Sequence, residues 1–462
     1  LGRVKAMTSA AVAEKPLNLL SAILSEEGFQ PAEPATLAET GLSEALIDSL
    51  ICKYLSVVGT ASGRTIADHL CLPMGVVEDL YHRLRSRQFL AHAGSAPLND
   101  YYYTLSDQGR QRAQTFLEAC AYIGPAPVPL IDYVCSVEAQ TIRAEAPKRA
   151  QLEAAFADIS TDPTVFDNLG PAVNSGAGMF LYGAPGNGKT TLAERITRCF
   201  GQNIWLPQTL IEDGQLIKLY DPAYHLAQET QDNSFIKNNN HDRRWVKVRR
   251  PTVVAGGELT MDSLEIRYDA RSNVSEAPLQ LKSNCGSLLI DDFGRQRMEP
   301  AELLNRWIVP LEKRYDFLTL ASGKKIQVPF EQLIIFSTNL EPDDLVDEAF
   351  LRRIPYKINI NDPTADEFHR LFAFCSPSLG FEYREEAVDY LLETHYRAVN
   401  RSLRRCHPRD LLGQVRNFCA YNDLPLEMLP EYFDRVVKSY FTVVLKDADQ
   451  PRRPVCVTQA ID

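Results

Sequence analysis

Three short uninterrupted apolar runs, Met179-Phe180-Leu181-Tyr182, Ser287-Leu288-Leu289-Ile290 and Leu333-Ile334-Ile335-Phe336, have the length and composition of strands buried on both faces of a parallel sheet. Around them the apolar period becomes helical. Leu192, Ile196 and Phe200 follow the first run along one helix face, and Leu303, Leu304, Ile308 and Leu311 precede the third. Residues 317–320 and 325–328 flank Ala321-Ser322-Gly323-Lys324, the pattern of a β-hairpin with lysines at its tip. Residues 203–220 alternate and leave room for a strand or two. Beyond Asp362 helical spacing prevails, including 387–394 and 408–421. Upstream, Ile47, Leu50, Ile51 and Leu55, then 65–70, then Val76, Val77, Leu80, Leu84 and Phe89 predict three helices; strands at 89–92 and 101–105 follow, joined by a turn-rich loop. The pattern therefore predicts an α/β core over 151–360 with a parallel sheet, a C-terminal helical region over 361–445, and a small domain over 42–121. Gly124-Pro125-Ala126-Pro127-Val128-Pro129 cannot continue a helix, so 122–150 reads as a Pro-rich linker, and 1–41 and 446–462 as tails.

Immediately after the first apolar run comes Gly183-Ala184-Pro185-Gly186-Asn187-Gly188-Lys189-Thr190-Thr191, which satisfies the P-loop pattern G-x-x-x-x-G-K-[ST] between a strand and a helix. Three glycines let successive backbone N–H groups point at a polyanion. Lys189 reaches the β/γ phosphates and Thr190 offers a hydroxyl to Mg²⁺, so ATP with Mg²⁺ is the expected ligand. The second run ends in Asp291-Asp292, a carboxylate pair placed as a Walker B strand places it: Asp291 for Mg²⁺ together with Thr190, and Asp292 for the attacking water. The third ends in Ser337-Thr338-Asn339, a neutral amide at the carboxyl end of a strand, where α/β sheets put their ligands.

These motifs, in this order, resemble those of the AAA+ ATPases over about residues 151–445. The resemblance implies roles for several residues. Asn339 stands at sensor 1. Arg352 and Arg353, in Ala349-Phe350-Leu351-Arg352-Arg353-Ile354-Pro355, stand in the arginine-finger segment, either one being the finger. Arg409, in His407-Pro408-Arg409-Asp410-Leu411, stands at sensor 2 in a helical lid. The hairpin before the third run is similar to that of the branch containing MoxR-type chaperones, enhancer-binding activators and MCM helicases. The resemblance implies a homo-oligomer, with a hexameric ring expected, because a finger acting in trans leaves each site incomplete alone. Asp292 departs from the family's usual glutamate. One methylene shorter, it is expected to hold water less well and to slow turnover.

Three helices and a hairpin over 42–121 resemble a winged helix-turn-helix. His82, Arg83, Arg85 and Arg87 on its third helix are the residues that would meet DNA, while docking of a protein is the other use of such a domain. A basic stretch, Lys237, Arg243, Arg244, Lys247, Arg249 and Arg250 around Trp245, has the composition of a nucleic-acid strand binder, or else of a solvated charge run or a subunit contact. The formal net charge of −11 counts against nucleic acid as the general partner. An unidentified protein client is the expectation, with DNA the alternative and a nucleotide-gated scaffold with little hydrolysis a third. No run approaches the roughly 18 apolar residues of a membrane span, and the start lacks the order of a signal peptide, so a cytoplasmic protein without membrane insertion is expected. The ten cysteines include no C-x-x-C pair, which predicts free thiols rather than zinc or a disulfide framework.

Overall fold

The three apolar runs lie side by side in one five-stranded parallel sheet. In the computed structural model, which describes residues 28–159, 163–201, 203–228, 241–345 and 348–441, its strands are β1 (Met179–Tyr182), β2 (Thr252–Ala255), β3 (Ser287–Ile290), β4 (Leu333–Thr338) and β5 (Tyr356–Asn359), ordered β2-β3-β4-β1-β5. Every residue of β3 and β4 is buried, which is why these runs carry no polar alternation. Side chains still alternate between faces. Leu289, Leu333 and Ile335 join Leu192, Ala193 and Ile196 of helix α1 (Lys189–Ile196), whereas Leu288, Ile290, Ile334 and Phe336 join Leu303, Leu304 and Trp307 of helix α2 (Pro300–Lys313). Each such fully buried aliphatic or aromatic group contributes roughly 1.5–3 kcal/mol. Helix α3 (Glu348–Arg353) precedes β5.

Contacts divide the chain into two units: residues up to 184 with 189–360, and 185–188 with 361 onward. The first unit also contains the N-terminal domain. Its helices Glu44–Val58, Gly63–Leu70 and Met74–Ser86 occupy the predicted positions, two of them capped by serine oxygens, Ser43 accepting from the Leu46 amide and Ser62 from the Thr65 amide. The hairpin strands Leu90–Ala96 and Asp100–Leu105 turn through Leu98 and Asn99, both at positive φ (63° and 58°). A third strand, Thr60–Ser62, pairs antiparallel with the second; three residues are too few to leave a periodic signal. The core of this domain includes Leu216 and Val274, far along the chain.

Residues 122–150, read from sequence as a linker, are folded. Val128–Pro129 pairs parallel with Thr209–Glu212, and Leu130–Ala139 is a helix that buries Tyr133 and Val137. Proline fits because it stands at a strand end and just before a helix, where no amide donor is needed. Between α1 and β3 the chain adds four strands, Thr209–Glu212, Gln215–Lys218, Arg267–Asp269 and Val274–Glu276, which with Val128–Pro129 make a second sheet of five, and a separate antiparallel pair, Asn203–Pro207 with Trp245–Arg249. The hairpin Tyr315–Thr319/Lys325–Pro329 forms as predicted, and its inner residues Leu318, Leu320, Ile326 and Val328 pack with Leu206, Leu210 and Ile217 of this insertion. Lys324 at its tip is 3.2 Å from the Glu212 carboxylate.

The basic stretch turns inward. Arg244 is 3% exposed, holds the Asp242 carboxylate at 2.7 Å, and donates to the carbonyls of Thr40 (2.9 Å) and Pro127 (3.0 Å). Arg250, also buried, donates to the carbonyls of Gln140 and Cys285 and pairs with Glu145. Arg243 pairs with Asp68, and Trp245 is buried against Phe29. Neither a strand binder nor a solvated run describes these arginines: Arg244 and Arg250 spend their donors on buried backbone carbonyls and on the Asp242 and Glu145 carboxylates, and Arg243 on the Leu72 carbonyl and the exposed Asp68. Lys237 lies outside the described residues.

The second unit is helical, with α4 (Ala365–Ser378), a helix Glu385–Leu391, α5 (His407–Tyr421) and α6 (Pro430–Tyr440) around Phe368, Phe372, Leu391, Leu412, Val415 and Phe433. Thr364 and Glu367 form a capping box at the start of α4. His407 lies in this core, its Nδ1 2.9 Å from the Tyr396 hydroxyl; burial, reinforced by Arg404 and Arg401, pushes its pKa down to about 4. A histidine held below its ordinary value of about 6.5 stabilises the fold while neutral, and the unfolded chain takes up the proton first as pH falls. The helical unit should therefore lose stability from about pH 6.5 down to about pH 4, and His407→Phe should flatten that slope in denaturant titrations followed across this range. Among the described residues no helix is long and apolar enough to cross a membrane, and none of the nine cysteines there is in a disulfide.

Candidate phosphate-binding site

β1 leads straight into the glycine loop, and the loop's shape needs its glycines: Gly183 has φ 130° and Gly186 φ 83°, backbone regions a side chain rarely occupies. A Cβ on Gly183 would also stand 2.6 Å from the Ile360 carbonyl oxygen. Lys189 opens α1 with only 6% of its surface exposed. Its Nζ donates to the carbonyls of Gly183 (2.9 Å) and Ala184 (3.0 Å) and to Asn339 Oδ1 (2.7 Å). The next residue, Thr190, directs its hydroxyl at both oxygens of Asp291, each 3.0 Å away. Thr191 follows on the same helix, half-buried.

The adjacency of β3, β4 and β1 places the ends of all three strands together. Asn339, just past β4, accepts from Lys189 and donates through Nδ2 to Asp292 Oδ1 at 3.3 Å. One amide thus bridges the loop lysine and the second carboxylate. Asp292 has φ 49°, the left-handed region. Aspartate enters that region more readily than the longer, less locally bonding glutamate, which gives a backbone reason for the shorter acid here. The turn around it is fastened from behind: Phe293 N donates to Ser337 O (2.7 Å), Thr338 Oγ1 to Phe293 O (2.9 Å), and Gln296 Nε2 to Asp291 O (2.7 Å). Sequence reading did not find Thr338 and Gln296, since nothing in their spacing distinguishes a buttress from any polar residue near a turn.

A hydroxyl touching a carboxylate is an oxygen donor set of the kind Mg²⁺ takes, and a glycine loop beside a buried lysine suits a polyphosphate. The residues fit both groups. The two finger candidates differ in surroundings. Arg353 is held by Glu312 (2.7 Å) over the Phe350 ring, whereas Arg352 is exposed and pairs with no side chain among the described residues. Arg409 stands in the first turn of α5, 75% exposed, its nearest carboxylate being the neighbouring Asp410 at 3.6 Å. Within the second unit it is Arg404 and Arg405 that adjoin the loop tip. The Arg405 amide donates to Asn187 Oδ1 (3.3 Å), and Asn187 Nδ2 donates to Asp362 Oδ1 (2.7 Å), which Arg404 also contacts.

In the N-terminal domain, Arg83 and Arg87 are committed to Glu44 and Asp48 on the first helix. The exposed face of the third helix presents Glu78, Asp79, His82 and Arg85.

Residues 364–439 match a family model described as a domain of unknown function, DUF8689. No curated protein matches the chain. Among solved structures, the chain is similar to the RuvB Holliday junction branch migration motor of Thermotoga maritima, at 14% identity over 60% of this chain and 69% of that one, TM-score 0.35. It is also similar to NtrX from Brucella abortus, at 11% identity over 61% of this chain and 55% of that one, TM-score 0.39. Superpositions this loose carry no function across.

Proposed function

We propose that the chain is an ATP-hydrolysing AAA+ motor that works as a homo-oligomeric ring and remodels a protein assembly in the manner of a chaperone. The observation that supports the chemistry is the continuous contact from Lys189 through Asn339 to Asp292, beside Thr190 and Asp291. In this reading the loop amides of 183–191 and the Lys189 ammonium hold the β/γ phosphates. Thr190 and Asp291 hold Mg²⁺, which when bound neutralises charge on the phosphate oxygens. Asp292 orients the attacking water, with Asn339 fixing the carboxylate that does so. Arg409, exposed in the first turn of α5, is the sensor 2 candidate of this reading. Arg352, exposed and with no side-chain partner among the described residues, completes the neighbour's site, whereas Arg353 braces α3 through Glu312.

Turnover should then depend on assembly. Arg352→Ala should lower the rate about 10³-fold with nucleotide binding retained, and should poison wild-type subunits when mixed with them; Arg353→Ala should cost far less. Phosphate release measured at a series of protein concentrations checks both points. A rate per subunit independent of concentration, with Arg352→Ala fully active, would overturn the oligomeric reading.

The N-terminal domain recruits the client. A helix face carrying Glu78 and Asp79 repels phosphate, and Arg83 and Arg87 are already occupied, which favours protein over DNA. The DNA reading keeps one observation in its favour: Arg85 lies 3.2 Å from His92, which stacks on the half-exposed Tyr101 at 4.3 Å. Stimulation of turnover by duplex DNA that fades steeply with salt would select it.

A further inference from the structure

The tip of the glycine loop has almost nothing with which to hold itself. Between Gly186 and Gly188 the one side chain with hydrogen-bonding groups is Asn187, and it is 1% exposed. Both ends of its amide are engaged within the helical unit: Nδ2 donates to Asp362 Oδ1 at 2.7 Å, and Oδ1 accepts from the Arg405 amide at 3.3 Å. A third bond fixes the neighbouring residue, the Cys406 amide donating to Gly186 O at 2.9 Å. Asp362 is itself held by Arg404, and Arg405 by Glu367, a member of the capping box that starts α4. The loop tip therefore shares a hydrogen-bonded network with the start of α4 and the lead-in to α5.

We propose that Asn187 is a positioning residue for the phosphate loop, clamped by Asp362 and the Arg405 amide, so that nucleotide on the loop and order in residues 361–441 stabilise each other. The inference rests on the nucleotide reading above. Its physical basis is that two glycines at positive φ give the tip many competing conformations, and a buried amide bonded at both ends selects one of them. Linkage makes the effect reciprocal: whatever the network contributes to nucleotide affinity, nucleotide returns to the network.

The experiment uses the full chain, a fluorescent ATP analogue and the matching ADP analogue, each with Mg²⁺, and hydrogen exchange of residues 361–441 with and without nucleotide. Asn187→Ala and Asp362→Ala should weaken both analogues about tenfold: the first removes the side chain that ties the loop tip to Asp362 and the Arg405 amide, and the second leaves the buried Asn187 Nδ2 without its acceptor. Both variants should also lose the nucleotide-dependent protection of 361–441. Asp362→Asn keeps an acceptor oxygen and should stay near wild type. A role confined to folding would lower protection without nucleotide and leave the nucleotide-dependent increment intact; that outcome, or wild-type affinity in Asn187→Ala, overturns the inference. If the wild type binds analogue, Lys189→Ala does not, and Asn187→Ala binds normally, the inference alone has failed. If the wild type binds neither analogue, the nucleotide reading has failed with it.

Discussion

Lys189→Ala should reduce ATP turnover to the blank, a loss of at least about 10²–10³-fold on the scale of removing one charge-stabilising group from a phosphoryl or acyl transition state. The lysine is the loop's cation, and its ammonium serves three acceptors at once, the carbonyls of Gly183 and Ala184 and the side chain of Asn339. Alanine leaves those three without their donor and the loop without positive charge. The fold should survive, because Lys189 opens α1 and alanine is the best helix former. Measuring phosphate release and circular dichroism on the same sample separates lost chemistry from lost structure. A variant that hydrolyses ATP at near the wild-type rate would end the assignment of this loop.

Arg244→Ala should have the largest effect on stability, about 3–5 kcal/mol, the range seen when one partner of a buried ion pair is removed. Asp242 would keep its charge at 4% side-chain exposure, and the carbonyls of Thr40 and Pro127 would lose their donor. Urea unfolding of the variant and the parent gives the difference directly. A direct role in gripping nucleic acid predicts the opposite combination, an unchanged unfolding midpoint with weakened DNA binding. Arg249 makes a useful control, being exposed at the far end of the strand Trp245–Arg249 that follows Arg244.

These two residues also mark how far the sequence could be read. That Lys189, Thr190, Asp291 and Asn339 stand together was legible because their placement is imposed by short segments: a glycine loop, and residues that immediately follow strands whose burial is written in their composition. Only the sheet order had to be supplied by the fold, and it brings the strand ends together. Arg244 was illegible for the opposite reason. Its partners lie at Thr40 and Pro127, and a run of arginines looks the same in sequence whether its donors face water or buried carbonyls. The insertion between α1 and β3 was similarly opaque: its strands are three to five residues long, and although two pairs are local hairpins, the pairings that join them, such as Gln215–Lys218 with Val274–Glu276, span distant parts of the chain. The segment 122–150 misled because proline forbids the middle of a helix yet suits its edge. At Asp292 the left-handed backbone conformation, which an aspartate enters readily, leaves no trace in composition.

The shared core of the N-terminal domain has a mechanical consequence. Leu216 and Val274 sit in the same apolar cluster as Ile47, Leu50 and Leu80, and the sheet that carries them also holds Leu210 and Ile217 against the hairpin 315–329. A load on the third helix of that domain would therefore be borne by apolar packing that runs on through the insertion to the hairpin just ahead of β4. In the proposed reading, a client held there and the strand end that carries Asn339 would be joined by side-chain packing, so a pull at one would be felt at the other.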